Sequence, residues 1–217
     1  GPGSPHTFQL KPSSARLLQS ADVIFWMGPA LENFLAKALR AIPQKTRVTS
    51  LYDAPNVSLL TRNDGPRQTI ENNNKTHGSA FNRNHVNIDM HAWLDPKNAR
   101  AMAAHIAATL TAVDPPHAGI YQENADALVL KLAALDQALT ETLGSITDRP
   151  YFVYHDAYRY FEYRYGLKHQ GAIIPNPHGQ PGAKRLRHIR TQIKQLGAIC
   201  IFAEPQFQPT LVAAITE

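Results

Sequence analysis

The sequence predicts an α/β protein with two lobes of parallel sheet flanked by helices, a three-layer αβα arrangement, joined by one long rigid helix. Two observations predict this class. Short apolar runs, typical of buried strands, alternate with segments of helical periodicity in both halves of the chain. Between the halves lies one uninterrupted helical pattern. With 217 residues, 43% of them hydrophobic, the chain has enough apolar surface for two small cores.

The first half begins in a loop and then alternates helices and strands. Helical periodicity predicts helices over 12–21 and 30–42, and apolar runs predict strands over 23–28 and 47–51. The stretch 53–90 is rich in Asn and has no apolar period, so it predicts a mobile, irregular loop.

Two helices follow that loop. Asp95 is a suitable N-cap and Pro96 suits the first turn of a helix that ends before Pro115. The next helix is predicted over 117–146, because apolar residues recur at spacings of four and three. At 1.5 Å per residue it would be about 45 Å long, whereas a 100-residue domain has a radius of gyration of about 13 Å. A rigid spine along both halves is therefore expected; a coiled-coil arm is the alternative.

This spine defines three parts. We expect an incomplete N-terminal lobe over 1–116, with the mobile loop inside it, the linking helix over 117–146, and an incomplete C-terminal lobe over 147–217. The chain starts in a loop and stops in a helical pattern, so truncation at both ends is expected.

The second half repeats the alternation of strand and helix. Strands are predicted over 151–154, 168–174 and 199–203, with helices over 157–165 and 181–197 between them. On this assignment His169 lies within a strand.

Charge and cysteine content exclude several classes of protein. The net charge is +5, but the only dense basic run, 183–194, has a separate apolar stripe and is predicted to be an amphipathic helix with a solvated outer face. No nucleic-acid motif accompanies it. No run of 18 apolar residues is present, and 1–11 contains no apolar core like that of a signal peptide. The single cysteine, Cys200, forms no disulfide framework.

Histidines in loops carry the chemistry. His155 and Glu204 each follow a predicted strand directly, so they should share one edge of the second sheet, where ligands of parallel sheets bind. His91 lies at the end of the mobile loop and His6 in the starting loop. Imidazole is a natural ligand of Zn²⁺, so His6, His91 and His155 could supply most of a tetrahedral site.

Two functions remain open from the residues alone. A binding module would hold Zn²⁺ without performing chemistry. A zinc-dependent hydrolase would use the same three-His site with water, and Glu204 or Asp156 as the general base. No H-E-x-x-H motif supports the hydrolase.

Four stretches resemble a known family: "SPHTFQLKPSSARLLQSADVIFWMGP", "MHAWLDPKNAR", "YFVYHDAYRYFEYRYGL" and "CIFAEPQF". They are similar to the metal-binding solute-binding proteins of bacterial ABC importers (cluster A-I), most closely the periplasmic zinc-uptake, ZnuA-like type. The resemblance implies two α/β lobes joined by a long helix, with the metal in the cleft between them. It implies a high-affinity zinc receptor, not an enzyme, that captures Zn²⁺ through His side chains.

The resemblance also assigns residues and partners. His6, His91 and His155 match the family's first three ligands, and a third imidazole favours Zn²⁺ over Mn²⁺. The implied partner is the membrane permease subunit of a zinc ABC transporter, in the periplasm, with no nucleic acid and only indirect membrane contact. An adhesin with the same fold remains an alternative. Since metal-binding imidazoles must be neutral, binding should weaken as the pH falls through about 6.5.

The sequence departs from the family's pattern in three places. The family's fourth ligand, a carboxylate in a C-terminal Asp-Pro motif, has no match, and the family's opening β-α-β unit is absent. The stretch 53–90 holds only two histidines, whereas zinc-type members usually carry a loop dense in His and acidic residues. Cys200 stands where some members have a half-cystine, and it is expected to be a free thiol.

Overall fold

The computed structural model describes residues 8–61, 69–71, 88–174, 181–198, 200–205, 212–213 and 215. Within them the chain is α/β with parallel sheets, as predicted. Backbone contacts divide the chain into a first unit, Gln9–Ala138, and a second unit that contains Leu139–Glu217.

The first unit is built around a pair of parallel strands. Its helices and strands are α1 (Pro12–Ser20), β1 (Val23–Trp26), α2 (Asn33–Leu39), β2 (Arg47–Ser50), β3 (Ser58–Leu60), β4 (Thr69–Glu71), α3 (Pro96–Val113) and most of α4 (Ala118–Leu143). β1 and β2 pair from Val23 opposite Arg47 to Trp26 opposite Ser50. Apolar side chains of α1 and α2 pack with Ile24 and Trp26, so the helical stripes seen in the sequence cover this pair.

The prediction of one irregular loop over 53–90 is wrong at both ends of that stretch. β3 pairs with β4 in antiparallel register, and Thr61 forms a bridge with Ile88. Val57, Leu59, Leu60, Asp89 and Met90 are all buried. The apolar run 57–60 was too short to show a period, and its partners are distant in sequence. Residues 62–68 and 72–87, on which the rest of that prediction falls, lie outside the described residues.

Helix α4 is continuous over 26 residues, about 39 Å. It covers most of the stretch predicted as the linking helix, and the boundary between the two units falls within it. Within the first unit its buried Asp136 lies 3.9 Å from the guanidinium of Arg100 on α3. Helix α3 begins as predicted, with the Asp95 carboxylate accepting a hydrogen bond from the backbone N–H of Lys97.

The second unit has three parallel strands in the order β6-β5-β7. Its elements are the end of α4, β5 (Tyr151–His155), α5 (Arg159–Tyr165), β6 (Ala172–Ile174), α6 (Ala183–Leu196) and β7 (Cys200–Phe202). Phe152 and Tyr154 of the central strand pack with side chains of α6. Tyr151 and Val153, which alternate with them, pack with side chains of α4 and α5. Helices therefore cover both faces of this sheet, as the predicted architecture requires.

One local expectation is wrong. The strand predicted over 168–174 is formed only by Ala172–Ile174, and the backbone N–H of His169 donates instead to the carboxylate of Glu162. Cys200, the first residue of β7, is a free thiol as expected and is exposed. Over the part of the chain that the structure describes, no helix combines the length and the apolar character needed to span a bilayer.

Candidate metal centre

His91 is held by a carboxylate two residues before it. Its ring Nδ1 lies 2.6 Å from Oδ1 of Asp89, and its backbone N–H donates to the same oxygen at 3.0 Å. His91 is 4% exposed and Asp89 1%, so the pair is shielded from solvent. The ring of Trp93 lies 5.4 Å from the imidazole, between centroids, and is partly exposed.

Strand β3 and helix α3 position this pair. The backbone N–H of Asp89 donates to the carbonyl of Leu60, at the end of β3. The fully buried Asn98 of α3 then joins both sides: its amide group donates to the carbonyls of Ser58 and Ala92, and its Oδ1 accepts from the N–H of Ser58. Since Ala92 follows His91 directly, Asn98 holds both strand β3 and the turn that contains His91.

Met90, between Asp89 and His91, is buried and its side chain lies close to Gly28, two residues after β1. Gly28 has a φ of +142°, and a Cβ there would come within 2.5 Å of the Tyr52 ring and 2.8 Å of the Met90 Cε. Only glycine fits this backbone and this spacing. The Glu32 carboxylate accepts hydrogen bonds from the N–H groups of Met27 and Gly28, and burial raises its pKa despite these bonds. The contacts that support the turn containing His91 thus extend to the residues that follow β1.

His155 makes the equivalent contact in the second unit. Its ring Nδ1 lies 2.5 Å from Oε1 of Glu204, and both side chains are largely shielded from solvent. The sheet register explains the contact: Val153 of β5 pairs with Phe202 of β7, so residues two positions beyond each meet at the same sheet edge. This confirms the prediction that His155 and Glu204 share one edge, although His155 is the last residue of its strand rather than the residue after it.

Glu204 has a second partner, Tyr158. Burial, the negative charge of Glu204 and a hydrogen bond to Glu204 raise the pKa of the Tyr158 hydroxyl to about 12. Burial and the same charge also raise the pKa of Tyr154. Tyr158 is therefore a protonated donor at neutral pH, and the carboxylate is fixed from two sides as it holds His155.

The two pairs have the same chemical consequence. A carboxylate accepts hydrogen bonds, so Nδ1 of His91 and of His155 carries a proton, and Nε2 of each neutral ring carries the lone pair. The Nε2 atom of His155 is buried. A carboxylate behind a histidine is the usual arrangement around metal-binding imidazoles, because it fixes the tautomer and the ring orientation and raises the basicity of the ligand nitrogen.

Not every predicted site residue can be followed. His6 lies outside the described residues, and His91 and His155 belong to different units. Among the described residues, no group of three or more His, Cys, Asp or Glu side chains could hold a metal ion. Sequence reasoning missed Asp89, although the Asp-x-His spacing in "DMHAW" permits the observed contact.

A third histidine–carboxylate pair lies within the second unit. Glu162 is 1% exposed and accepts hydrogen bonds from the Tyr151 hydroxyl (2.6 Å), the His169 N–H (2.8 Å) and the His169 ring Nδ1 (2.6 Å). Burial alone would raise the pKa of Glu162, but these contacts outweigh it and the pKa is lowered. This pair connects α5 to the segment before β6. Neither Glu162 nor its partners Tyr151 and His169 is a predicted metal ligand.

The same fold occurs in solved structures of other proteins. A solved structure titled as the periplasmic zinc-binding protein TroA from Treponema pallidum matches with a TM-score of 0.77 at 18% identity, covering 98% of this chain and 70% of that chain. One titled as the crystal structure of ZnuA matches with a TM-score of 0.75 at 22% identity, covering 99% and 74%. At these identities the likeness defines the fold class alone, an α/β fold with parallel sheets.

The sequence comparisons define the family. The model of the family described as "Zinc-uptake complex component A periplasmic", ZnuA, matches residues 2–217. The high-affinity zinc uptake system protein ZnuA of Brucella abortus is 39% identical over 239 residues, covering 100% of this chain and 72% of that protein. The chain belongs to the ZnuA family.

Proposed function

We propose that this protein is a high-affinity zinc receptor of a bacterial ABC importer, and that it captures Zn²⁺ with His91 and His155 bound to one ion. His6 is proposed as a third ligand, from the match to the family motif. The ion is cargo: neutral imidazoles hold it, and it is released to a membrane permease. The protein carries out no chemical reaction on it. On the family resemblance, the place of capture is proposed to be a cleft between the two lobes.

One observation carries the proposal: each predicted histidine ligand that the structure describes has its Nδ1 hydrogen-bonded to a shielded carboxylate. A histidine held in this way presents Nε2 in a fixed direction, so little conformational entropy is lost when a metal binds. The family membership supports Zn²⁺ as the cargo, since the matching relatives are named as zinc uptake proteins. Periplasmic location and a permease partner are proposed on the same grounds.

Titration of zinc by calorimetry at about pH 7.5, where free imidazole is neutral, tests the proposal. We expect one tight site per chain. His91→Ala and His155→Ala should each remove it, because a tetrahedral site that loses one of its few protein ligands binds far more weakly. If the unaltered chain bound two ions and each variant kept one of them, the two histidines would bind separate ions and the shared site would be wrong. If the unaltered chain bound one ion and either variant kept that tight site, the substituted histidine would not be a ligand.

His117→Ala is the matched control for these variants. His117 also has its Nδ1 next to a carboxylate, Asp114 at 2.8 Å, but both side chains are exposed and neither is a predicted ligand. We expect its zinc titration to match that of the unaltered chain within about twofold, since an exposed pair of this kind contributes little. If His117→Ala also lost the tight site, the loss of zinc binding would not be specific to the proposed ligands.

The hydrolase predicted as the alternative gains no support. Glu204, its proposed general base, is engaged by His155 Nδ1 and Tyr158 and serves to orient the imidazole. The other proposed base, Asp156, forms a bidentate ion pair with Arg159. Both carboxylates are therefore engaged by other side chains in this structure.

A further inference from the structure

Helix α6 carries the whole net charge of the chain. Five of the 22 Lys and Arg residues lie in Ala183–Leu196, which contains no Asp or Glu. The other 17 basic residues are balanced by the 17 acidic residues. The surplus of +5 is therefore located on 14 residues of one helix.

The packing of α6 turns part of this charge outward. Its apolar stripe, Leu186, Ile189 and Ile193, packs with the core of the second unit. On the solvent side, Lys184, Arg187, His188, Thr191 and Lys194 are all exposed. We call these five residues the basic face; from its first to its last residue it extends about 15 Å along the helix.

The basic residues of α6 have two different roles, attachment of the helix and exposure of charge to solvent. Arg185 donates to the carbonyls of Ala172 and Ile173, so its charge is used to attach the helix to β6. Lys184, Arg187 and Lys194 form no ion pair with any residue in the described ranges of the chain. Three cations on one helix side repel each other at low salt, a cost that an anionic partner would remove.

We propose that the basic face docks onto an anionic lipid surface. The face contains no Trp, Tyr or Phe side chain, and these are the rings on which the bases of single-stranded nucleic acid usually stack. Lipid headgroups move laterally and need no matching shape. Each Lys or Arg near an anionic membrane raises the partition coefficient roughly fivefold, so three give about 100-fold.

This proposal adds a direct membrane contact to the indirect one expected from the sequence. It does not require zinc, and the basic face shares no residue with the proposed metal ligands. The proposed function and the lipid contact can therefore fail separately. A lipid-binding face on the second unit would hold a receptor close to the membrane in which its permease lies.

Vesicle cosedimentation of the full chain tests the proposal. Vesicles of equimolar phosphatidylglycerol and phosphatidylcholine should bind the protein at about 0.02 M salt, and binding should fall at least tenfold at about 0.2 M, since charge attraction is screened. Vesicles of phosphatidylcholine alone should not bind it. The triple variant K184Q/R187Q/K194Q should lose at least tenfold in binding, with unchanged circular dichroism and zinc titration.

The control is a triple variant of the first unit, K37Q/R40Q/K45Q. It removes the same three charges from residues that are also exposed. We expect its vesicle binding to stay within twofold of the unaltered chain. An equal loss in both variants would overturn the proposal, because binding would then follow net charge. Binding to soluble polyglutamate but not to the anionic vesicles would also overturn it and assign the face to an acidic protein.

Discussion

At the scale of single residues, the defining feature is a histidine with a carboxylate behind it. Asp89 and Glu204 contact Nδ1 of His91 and His155 at 2.6 and 2.5 Å, yet they reach this geometry in different ways. Asp89 does so locally, across one intervening residue. Glu204 does so through sheet register, from a residue 49 positions away. The same chemistry is thus built twice from unrelated backbone geometries.

Replacing Asp89 with Asn should weaken zinc binding about 10- to 100-fold, the usual effect of removing a partner of a ligand histidine. The Asn side chain can donate to Nδ1 through its amide, which favours the tautomer with a proton on Nε2 and blocks the metal. Competition with a zinc chelator measures the change. Asp114→Asn, which alters the exposed His117 pair, should leave affinity unchanged; equal losses would refute a specific role for Asp89.

Glu162 should make stability depend on pH. Its pKa is lowered from an ordinary 4.5, so its contribution is present above that value and is lost as the pH falls through the lower folded value. Glu162→Gln should reduce the free energy of unfolding by about 1–3 kcal/mol at neutral pH. In urea titrations the gap between the variant and the unaltered chain should narrow below pH 4.5. A gap that stays constant to the lowest pH would contradict this.

The sequence indicated the histidines proposed as ligands better than it indicated the residues that hold them. His91 and His155 stood out because each lies in a loop or at a strand end. Asp89 lies in the stretch predicted to be mobile, so no support was expected from it. Glu162 falls within a predicted helix, where an acid is normally solvated, and its burial depends on the Tyr151 hydroxyl and the His169 ring.

At the scale of secondary-structure elements, α3 organises the first unit through Asn98. Three hydrogen bonds join this fully buried amide to the backbone of β3 and to the turn that follows His91. Helix α3 itself was predicted at its observed start, because Asp95 and Pro96 are strong start signals. Its pairing with the short segment 58–60 was not predicted, since a contact across 40 residues leaves no local periodicity.

Asn98→Ala should be strongly destabilising. It leaves one N–H and two carbonyl groups of the backbone without their partner in a buried position, which costs roughly 2–4 kcal/mol in total. Thr109→Val on the same helix keeps the shape of the side chain and removes a hydrogen bond to the His105 carbonyl one turn away, and it should cost about 1 kcal/mol or less. Urea unfolding followed by circular dichroism compares them. Similar losses of unfolding free energy in the two variants would mean that Asn98 contributes no more to stability than an ordinary helix residue.

At the scale of the whole molecule, the proposed function couples two units that have separate cores. Trp26 and Trp93 are the only tryptophans, and both belong to the first unit. Intrinsic tryptophan fluorescence therefore reports the unfolding of that unit alone, whereas His155 lies in the second. Because the fluorescent residues lie in one unit and His155 in the other, fluorescence can test whether both units hold the same ion.

Zinc at about 1,000 times its dissociation constant should raise the free energy of unfolding by about 4 kcal/mol. If both units hold the ion, His155→Ala should abolish this stabilisation as seen by tryptophan fluorescence, although the substitution is in the other unit. His117→Ala should retain it. Full stabilisation of the first unit in His155→Ala would mean that the first unit binds the ion without the second.

Cys200 has a practical consequence for following such coupling in solution. It is the single thiol of the chain, it is exposed, and it lies on the strand that leads to Glu204 in the second unit. A thiol-reactive dye attached there would report on the surroundings of the second unit, whereas the two indoles report on the first. The unaltered chain thus already offers a separate optical reporter position in each unit, so the response of each unit to cargo loading is measurable without engineering.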